Sequence, residues 1–327
     1  MGQTASPPAA ANIPATSLGG SGLGPPASGG PAVESYAAAD GYRLAYHRWS
    51  PSGPARAQVV YLHGIQSHAG WYGYSCERLR QGGFEVFFLD RRGSGVNLQE
   101  RGHAANYQVL LDDIAGFLRQ RREAAPLVPT FVLAVSWGGK LGTGLAAEHA
   151  ELVDGLGLLC PGNFPRLGPP LVEKLRIAWA MLSGNKRRMI PVPLQDPALF
   201  TATPRWREFI ATDPFSLREA TAALMFASAR LDRHLRGAAG KIQIPVLLML
   251  AGKDRIVDNE RTKRFFAELA SPEKRLIEYA TAHHTLEFEE EPELFVKDLV
   301  GWLNEMSAKG ELKLRAAQGS AARGIRG

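Results

Sequence analysis

Two patterns alternate along the chain. Short runs of mostly apolar residues recur at 58–62, 84–89, 130–135, 155–159, 245–250 and 274–279. Runs of this kind, without strict polar alternation, are what strands buried on both faces of a parallel sheet require. Between them, apolar positions recur at three- and four-residue spacing. In 107–121, Leu110, Leu111, Ile114 and Leu118 share one helical face. Asp112 and Asp113 lie toward its start and Arg119, Arg121 and Arg122 at its end, the sense the helix dipole favours. Stretches 71–80, closed by Gly82-Gly83, 140–149, 260–269 and 292–306 complete the helical set. A hairpin comes first, its strands 35–38 and 42–49 meeting at Asp40-Gly41, a dipeptide suited to positive φ. Strand and helix repeated in this order predict an α/β fold built on a mostly parallel, doubly wound sheet.

The alternation breaks between Pro161 and Gly240. This stretch of about 80 residues holds no convincing strand and at least two helices. One, 171–182, is entered through Pro169-Pro170 and closed by Gly184; the other, 217–235, opens on Ser216 and Glu219 at capping-box spacing. So long a break inside a compact domain marks a lid or a binding element. The expected organisation is a core of residues 34–161 and 237–306 carrying a helical lid, 162–236.

Composition changes the picture at the ends. In residues 1–33, Gly, Ala, Pro and Ser fill 24 positions, and no charge precedes Glu34, so this segment is expected to stay disordered. It has neither the basic start nor the apolar stretch of a signal peptide. Met1-Gly2-Gln3-Thr4-Ala5-Ser6 fits the loose myristoylation pattern, against the plainer reading of a flexible tail. Residues 307–327 are expected to form a flexible basic tail. No apolar run of about 18 residues occurs, which excludes a spanning helix. Cys76 and Cys160 lie far apart, in neither a metal-ligand nor a redox spacing. The expected location is cytoplasmic, at most peripheral to a membrane.

The chemistry centres on Ala134-Val135-Ser136-Trp137-Gly138-Gly139, which follows a strand and precedes a helix. A serine with small residues two before and two after it can occupy a strained strand-to-helix turn, because larger side chains there would strike neighbouring backbone. The bland alternative is a helix-capping serine. A hydroxyl nucleophile needs a base, and the base needs an orienting acid. The strand ending Leu250-Ala251-Gly252-Lys253-Asp254 delivers Asp254 to the same sheet edge, and the loop Thr281-Ala282-His283-His284 follows the next strand. The chain order Ser136, Asp254, His284 is that of one known arrangement. His283 is an alternative base. Asp258 is an alternative acid, although its position suits a cap for the helix at Glu260. Oxyanion donors are assigned to the Ile65 and Trp137 backbone amides. His63 and His68 stand at an i, i+5 spacing that could suggest a metal, but the preferred reading has His63 shaping the loop and His68 bordering the pocket. His63, Gly64, His68 and Trp71 are assigned to the substrate-binding surface. No cofactor and no metal are expected.

With these residues in place, the sequence resembles the α/β-hydrolases, and within them the monoacylglycerol lipase and lysophospholipase branch, also grouped with serine aminopeptidases. His63-Gly64-Ile65-Gln66-Ser67-His68-Ala69-Gly70-Trp71-Tyr72 is similar to that branch's oxyanion loop, and Asp90-Arg91-Arg92-Gly93-Ser94-Gly95 to the loop after its next strand. The resemblance covers about residues 38–306. It implies a histidine two positions before a leucine, which favours His284 over His283. The chain departs from the branch at Ala134, where the elbow's first glycine is usual, at Asn97, where a serine often stands, and at Ser67, where many of its lipases carry Glu.

The insertion is rich in large apolar residues, among them Leu171, Leu175, Trp179, Leu182, Phe200, Trp206 and Phe226. That suits an acyl chain better than a sugar or a peptide amine. The expected reaction is hydrolysis of a lipid-like carboxylic ester through an acyl-enzyme. A serine aminopeptidase or a non-catalytic binding protein on the same fold are the alternatives. The chain's net charge is +6; the insertion holds 12 basic and 6 acidic residues, and residues 307–327 hold 5 and 1. No basic stripe interleaved with aromatics points to nucleic acid. Basic charge beside an apolar lid instead predicts transient contact with anionic lipid through Lys186-Arg187-Arg188, against the plainer reading of solvated surface charge.

Overall fold

In the computed structural model, residues 30–324 are described, with side chains through Gly310. The pattern at Gly2 and residues 1–29 of the segment expected to be disordered lie outside the described residues; the end of that segment is ordered instead, because Ala32 and Val33 pair with Arg48 and His47 as the start of the first strand. A hairpin of β1 (Ala32–Ala37) and β2 (Arg43–Trp49) opens the fold, turning through Gly41 at φ 82°. There follow β3 (Ala57–Leu62), α1 (Gly73–Gln81), β4 (Phe84–Leu89), α2 (Tyr107–Ala124), β5 (Thr130–Val135), α3 (Gly138–Glu148) and β6 (Gly155–Leu159). After the insertion come β9 (Val246–Ala251), α7 (Asn259–Glu268), β10 (Lys274–Tyr279) and α8 (Glu293–Gly324).

One eight-stranded sheet has the order β1-β2-β4-β3-β5-β6-β9-β10. The pairs β1/β2 and β2/β4 are antiparallel and the remaining pairs parallel. Strands β3, β5, β6 and β9 are buried along their whole length, as their apolar runs demand. Strand β10 departs from expectation: its residues alternate between exposed and half-buried. It pairs only with β9 and forms the sheet's edge, where Lys274 spends its ammonium on the Ala267 and Leu269 carbonyls.

The stretch between β6 and β9 contains α4 (Leu171–Leu182), β7 (Met189–Pro191), α5 (Pro204–Thr212), β8 (Glu219–Thr221) and α6 (Ala222–Leu235). Two expectations fail here. A two-stranded antiparallel sheet joins Met189–Pro191 to Glu219–Thr221, where no strand was predicted. The capping box at Ser216 and Glu219 does not form either. The segment is held extended by Val192 N–H on the Arg218 carbonyl and Thr221 N–H on the Gly102 carbonyl. The helix therefore starts later, with Thr221 Oγ1 accepting from the Leu224 amide at 3.3 Å. At the other end, α8 continues past Met306, where a flexible tail was expected. Buried Ser307 donates to the Leu303 carbonyl at 2.7 Å, and Lys309 pairs with Glu273 and Glu305. The helix runs on to Gly324.

The apolar core is continuous from the sheet into the insertion: Ile190, Ile210, Leu224 and Leu231 belong to the same buried cluster as Val132 and Leu248. Among the described residues, no helix is long and apolar enough to cross a membrane.

Candidate active site

Ser136 follows β5 directly and takes φ 52°, a left-handed conformation that non-glycine residues enter only when their surroundings enforce it. Its amide donates to the Leu159 carbonyl of β6 at 3.0 Å, and its carbonyl accepts from Gly162 at 2.6 Å. The turn needs a glycine behind it: a Cβ on Gly138 would lie 2.6 Å from the His63 carbonyl oxygen and 2.7 Å from that of Leu62. The alanine at 134 is accommodated from α3, where a Cβ on Gly142 would come within 2.7 Å of the Ala134 methyl. The helix thus carries the glycine opposite the position where related turns usually have one.

The three residues expected as nucleophile, base and acid form one hydrogen-bonded chain. Ser136 Oγ lies 2.8 Å from His284 Nε2, and His284 Nδ1 lies 2.7 Å from Asp254 Oδ2. Because the carboxylate only accepts, Nδ1 carries the proton and Nε2 is left to accept from the serine hydroxyl. The second oxygen of Asp254 accepts from the Ile256 and Val257 amides at 2.7 and 2.9 Å, which fixes the carboxylate plane. The alternatives resolve on geometry. His283 turns away to Glu289 at 3.1 Å, and Asp258 caps α7 by accepting from the Arg261 amide at 3.0 Å. All three members are buried; Ser136 is 8% exposed, and Phe200 of the insertion sets its ring edge-on to His284 with centroids 5.9 Å apart.

The loop after β3 approaches this chain closely. A Cβ on Gly64 would stand 3.3 Å from that of Ser136, so the backbone at Gly64 packs directly against the serine. Among the described residues, neither the Ile65 nor the Trp137 amide donates to a protein acceptor, leaving both free for a ligand oxygen. The remaining residues assigned to substrate do other work. His63 is buried with both ring nitrogens engaged: Nε2 accepts from the Arg91 amide at 2.9 Å and Nδ1 donates to the Gly64 carbonyl at 2.7 Å. Burial, with the Arg91 charge nearby, pulls its pKa down to about 3, so it stays neutral. His68 Nε2 and Trp71 Nε1 both donate to Asp213 Oδ2, at 3.0 and 2.8 Å. Their polar atoms tie the loop to the insertion and are not offered to substrate.

Asp213 was missed by sequence reading. Its carboxylate also accepts from Ser216 Oγ at 2.8 Å and the Phe215 amide at 2.9 Å. Burial alone would raise its pKa, but the hydrogen bonds from His68, Trp71 and Ser216 outweigh that and hold it near about 2. A second fastening joins α6 to the serine turn. Trp137 Nε1 donates to Ser228 at 2.9 Å, and buried Lys140 pairs with Asp232 at 2.5 Å. Nothing in the sequence announces either, because each partner lies more than 90 residues from its mate or one helix away in a region of undetermined packing. Arg91 was also missed; its quoted motif marks the loop but not what the side chain touches.

The profile of the family described as serine aminopeptidase, S33, matches residues 53–291. The chain belongs to this family. It is 25% identical over 270 residues to a monoacylglycerol lipase of Mycolicibacterium smegmatis, covering 82% of this chain and 95% of that one. A monoglyceride lipase of mouse is 26% identical over 253 residues, covering 76% and 82%. A soluble variant of monoglyceride lipase from Saccharomyces cerevisiae, solved with a substrate analogue, superposes with a TM-score of 0.75 at 21% identity, over 85% of this chain and 96% of that one. The fold is therefore that of the α/β-hydrolases.

Proposed function

We propose that this family member hydrolyses carboxylic esters with lipid-like acyl groups, of the monoacylglycerol or lysophospholipid kind, through an acyl-enzyme. The observation that carries the reading is the continuous chain Ser136–His284–Asp254, with the serine in a strained left-handed turn. Relatives named monoacylglycerol lipase, monoglyceride lipase and lysophospholipase support the substrate class.

In this reading Ser136 Oγ attacks the ester carbonyl carbon as its proton passes to His284 Nε2. Asp254 holds the imidazole in the tautomer that can accept that proton and offsets the imidazolium charge. The carbonyl oxygen becomes an oxyanion, met by the Ile65 and Trp137 amides. Collapse expels the alcohol, which takes the proton from His284. Water then attacks the acyl-enzyme, giving its proton to His284, and the acid leaves as Ser136 regains its hydrogen. The organisation that serves this is a core of residues 34–161 and 237–306 with the insertion 162–236 as a lid over the buried triad.

The lid's outer surface supports contact with lipid. On α4, Leu171, Val172, Leu175, Trp179 and Leu182 are exposed, Trp179 by 66% and Leu182 by 84%. Lys186, Arg187 and Arg188 follow this helix. The protein so read is a cytoplasmic enzyme that visits an anionic bilayer with its lid helix facing the headgroups. An aminopeptidase would need a carboxylate free at the site to hold a substrate ammonium, but Asp213, Asp232 and Glu173 of the insertion are already paired, and Asp196, Glu208 and Glu219 are exposed on its surface.

A fluorophosphonate label tests the mechanism. Wild type is expected to take one label and Ser136→Ala none; equal labelling of the two would sink the reading. Hydrolysis of p-nitrophenyl esters from acetyl to palmitoyl tests the acyl preference, with rates expected to peak at medium or long chains. Faster turnover of an aminoacyl p-nitroanilide than of any ester would move the reading to an aminopeptidase.

A further inference from the structure

Arg91 lies in the loop after β4, almost completely buried, and among the described residues its guanidinium makes no carboxylate pair. It points at the backbone of the loop after β3. One terminal nitrogen donates to the Gly64 carbonyl at 3.2 Å; the other donates to the Ile65 carbonyl at 3.1 Å and to Ser94 Oγ at 2.6 Å. The same guanidinium lies 4.7 Å from the centre of the Trp137 indole ring, stacked on the residue after the nucleophile. One side chain therefore touches the backbone beside the first free amide of the site and the indole of the residue that carries the second.

The geometry of a peptide explains what this does. The carbonyl of Gly64 and the N–H of Ile65 belong to a single planar unit and point in opposite directions. Whatever fixes the Gly64 oxygen fixes the direction of the Ile65 N–H. That oxygen receives two donors, Arg91 at 3.2 Å and His63 Nδ1 at 2.7 Å. The Gly64 amide on the other side is held by Ser67 Oγ at 3.0 Å, and Ser67 in turn accepts from Tyr72 OH at 3.1 Å. Gly64 has no side chain to brace it, since a Cβ would press on Ser67 and Ser136. Its orientation is left to these hydrogen bonds.

We propose that Arg91 is a positioning residue of the oxyanion hole, aiming the Ile65 amide through the Gly64 carbonyl and bracing the Trp137 amide through its stacked ring. The inference rests on the ester-hydrolase reading and on these two amides as its oxyanion donors. Arg91 does not touch the substrate. It acts by holding donors in place before the charge develops, which is where preorganised dipoles lower a barrier. Burial draws its pKa down to about 10, so the guanidinium remains charged at neutral pH. Lysine cannot replace it in full, because a point ammonium cannot reach two carbonyls and lie flat on an indole at once.

The test compares wild type, Arg91→Met, Arg91→Lys and Ser94→Ala. For each, kcat and KM are measured on a p-nitrophenyl ester, along with the inhibition constant of an alkyl trifluoromethyl ketone, whose adduct with the serine carries the oxyanion. Arg91→Met is expected to lower kcat by about 10- to 100-fold, part of the hundredfold to thousandfold that one donor supplies. KM should stay within about twofold, and inhibition should weaken by the same factor as kcat. Arg91→Lys should recover part of the loss, and Ser94→Ala should lose about two- to fivefold. If Arg91→Met does not fold, the other two variants carry the same kcat-only signature. A folded Arg91→Met with wild-type kcat overturns the inference alone, as does a kcat loss with unchanged ketone inhibition, or wild-type kcat in both milder variants. A wild type inert to ester and fluorophosphonate overturns the hydrolase reading and this inference with it.

Discussion

The sheet and the insertion are stabilised in different ways. Strands β3, β5, β6 and β9 are buried on both faces, and nearly every large apolar side chain they carry is fully enclosed. The insertion buries one side only. Its α4 turns Leu171, Leu175, Trp179 and Leu182 outward, while Ile177 and Ala180 face in. It is fastened over the site by a few polar contacts in addition to shared core: Asp213 to His68 and Trp71, Lys140 to Asp232, and Ser228 to Trp137. Close packing makes the core intolerant of volume change. The insertion shares that core and depends in addition on a few buried polar bonds, each of which a single substitution can remove. The contrast teaches that the sheet and the insertion depend on different kinds of contact, and that substitutions can address them separately.

The largest effect expected concerns the core edge alone. Ser136→Ala should lower kcat by about a million-fold, the scale seen when a triad serine is removed, with unfolding free energy within about 0.5 kcal/mol of wild type. Steady-state kinetics and thermal melting check this together; a large loss of stability would mean that the serine turn, and not the hydroxyl, was being read. Next comes the fastening. Asp213→Ala leaves the His68 and Trp71 donors and the Ser216 hydroxyl without their acceptor, and should destabilise by about 3–5 kcal/mol in denaturant unfolding. A change below about 1 kcal/mol would show that shared apolar core holds the insertion without it.

A third substitution probes a buried acid on the core side, beneath the His284 loop. Glu287 accepts from the Ser75 amide at 2.9 Å, and burial raises its pKa to about 7 from 4.5. Between those values the folded protein holds a proton that the unfolded chain has released. The group's stabilising contribution is thus full below 4.5 and fades as pH rises through about 7. Glu287→Gln should therefore gain on wild type as pH is raised from 4 to 8, by on the order of 3 kcal/mol. Unfolding curves at several pH values measure it, and a difference that does not vary with pH would contradict the assignment. The smallest effect on stability is expected on the insertion's outer face. Trp179→Ser should change stability by less than about 0.5 kcal/mol, yet reduce co-sedimentation with anionic vesicles several-fold. Binding equal to wild type would remove α4 from the lipid contact.

Much of the sheet could be read directly. The bounds of β4, β5 and β6 match their apolar runs residue for residue, because a strand buried in a parallel sheet has no polar face to obscure its ends; those of β10 match as well, although it is an edge strand with an exposed face. The insertion was less legible. Its β7 and β8 are three residues each, and their pairing rests on contacts with Gly102 and Arg218 that no local pattern encodes. The helix at Pro204–Thr212 went unread for a related reason: nine residues that bury little more than Ile210 leave a faint apolar stripe.

The amino-acid order alone determined the strand-helix alternation, the serine turn with its flanking small residues, and the succession of serine, aspartate and histidine at strand ends. These are local signals: an apolar run, a glycine where backbone passes close, a side chain placed just after a strand. Tertiary structure decided between neighbours of identical chemistry. It set His284 on the serine and sent His283 to Glu289, and it gave Asp254 the histidine while Asp258 capped a helix. It also turned His63, His68 and Trp71 from expected substrate contacts into structural donors, and it placed Arg91 behind the Gly64–Ile65 peptide. Each of those outcomes depends on which distant backbone or carboxylate lies within about 3 Å of a polar atom. That is a property of packing, and the spacing of residues along the chain does not contain it.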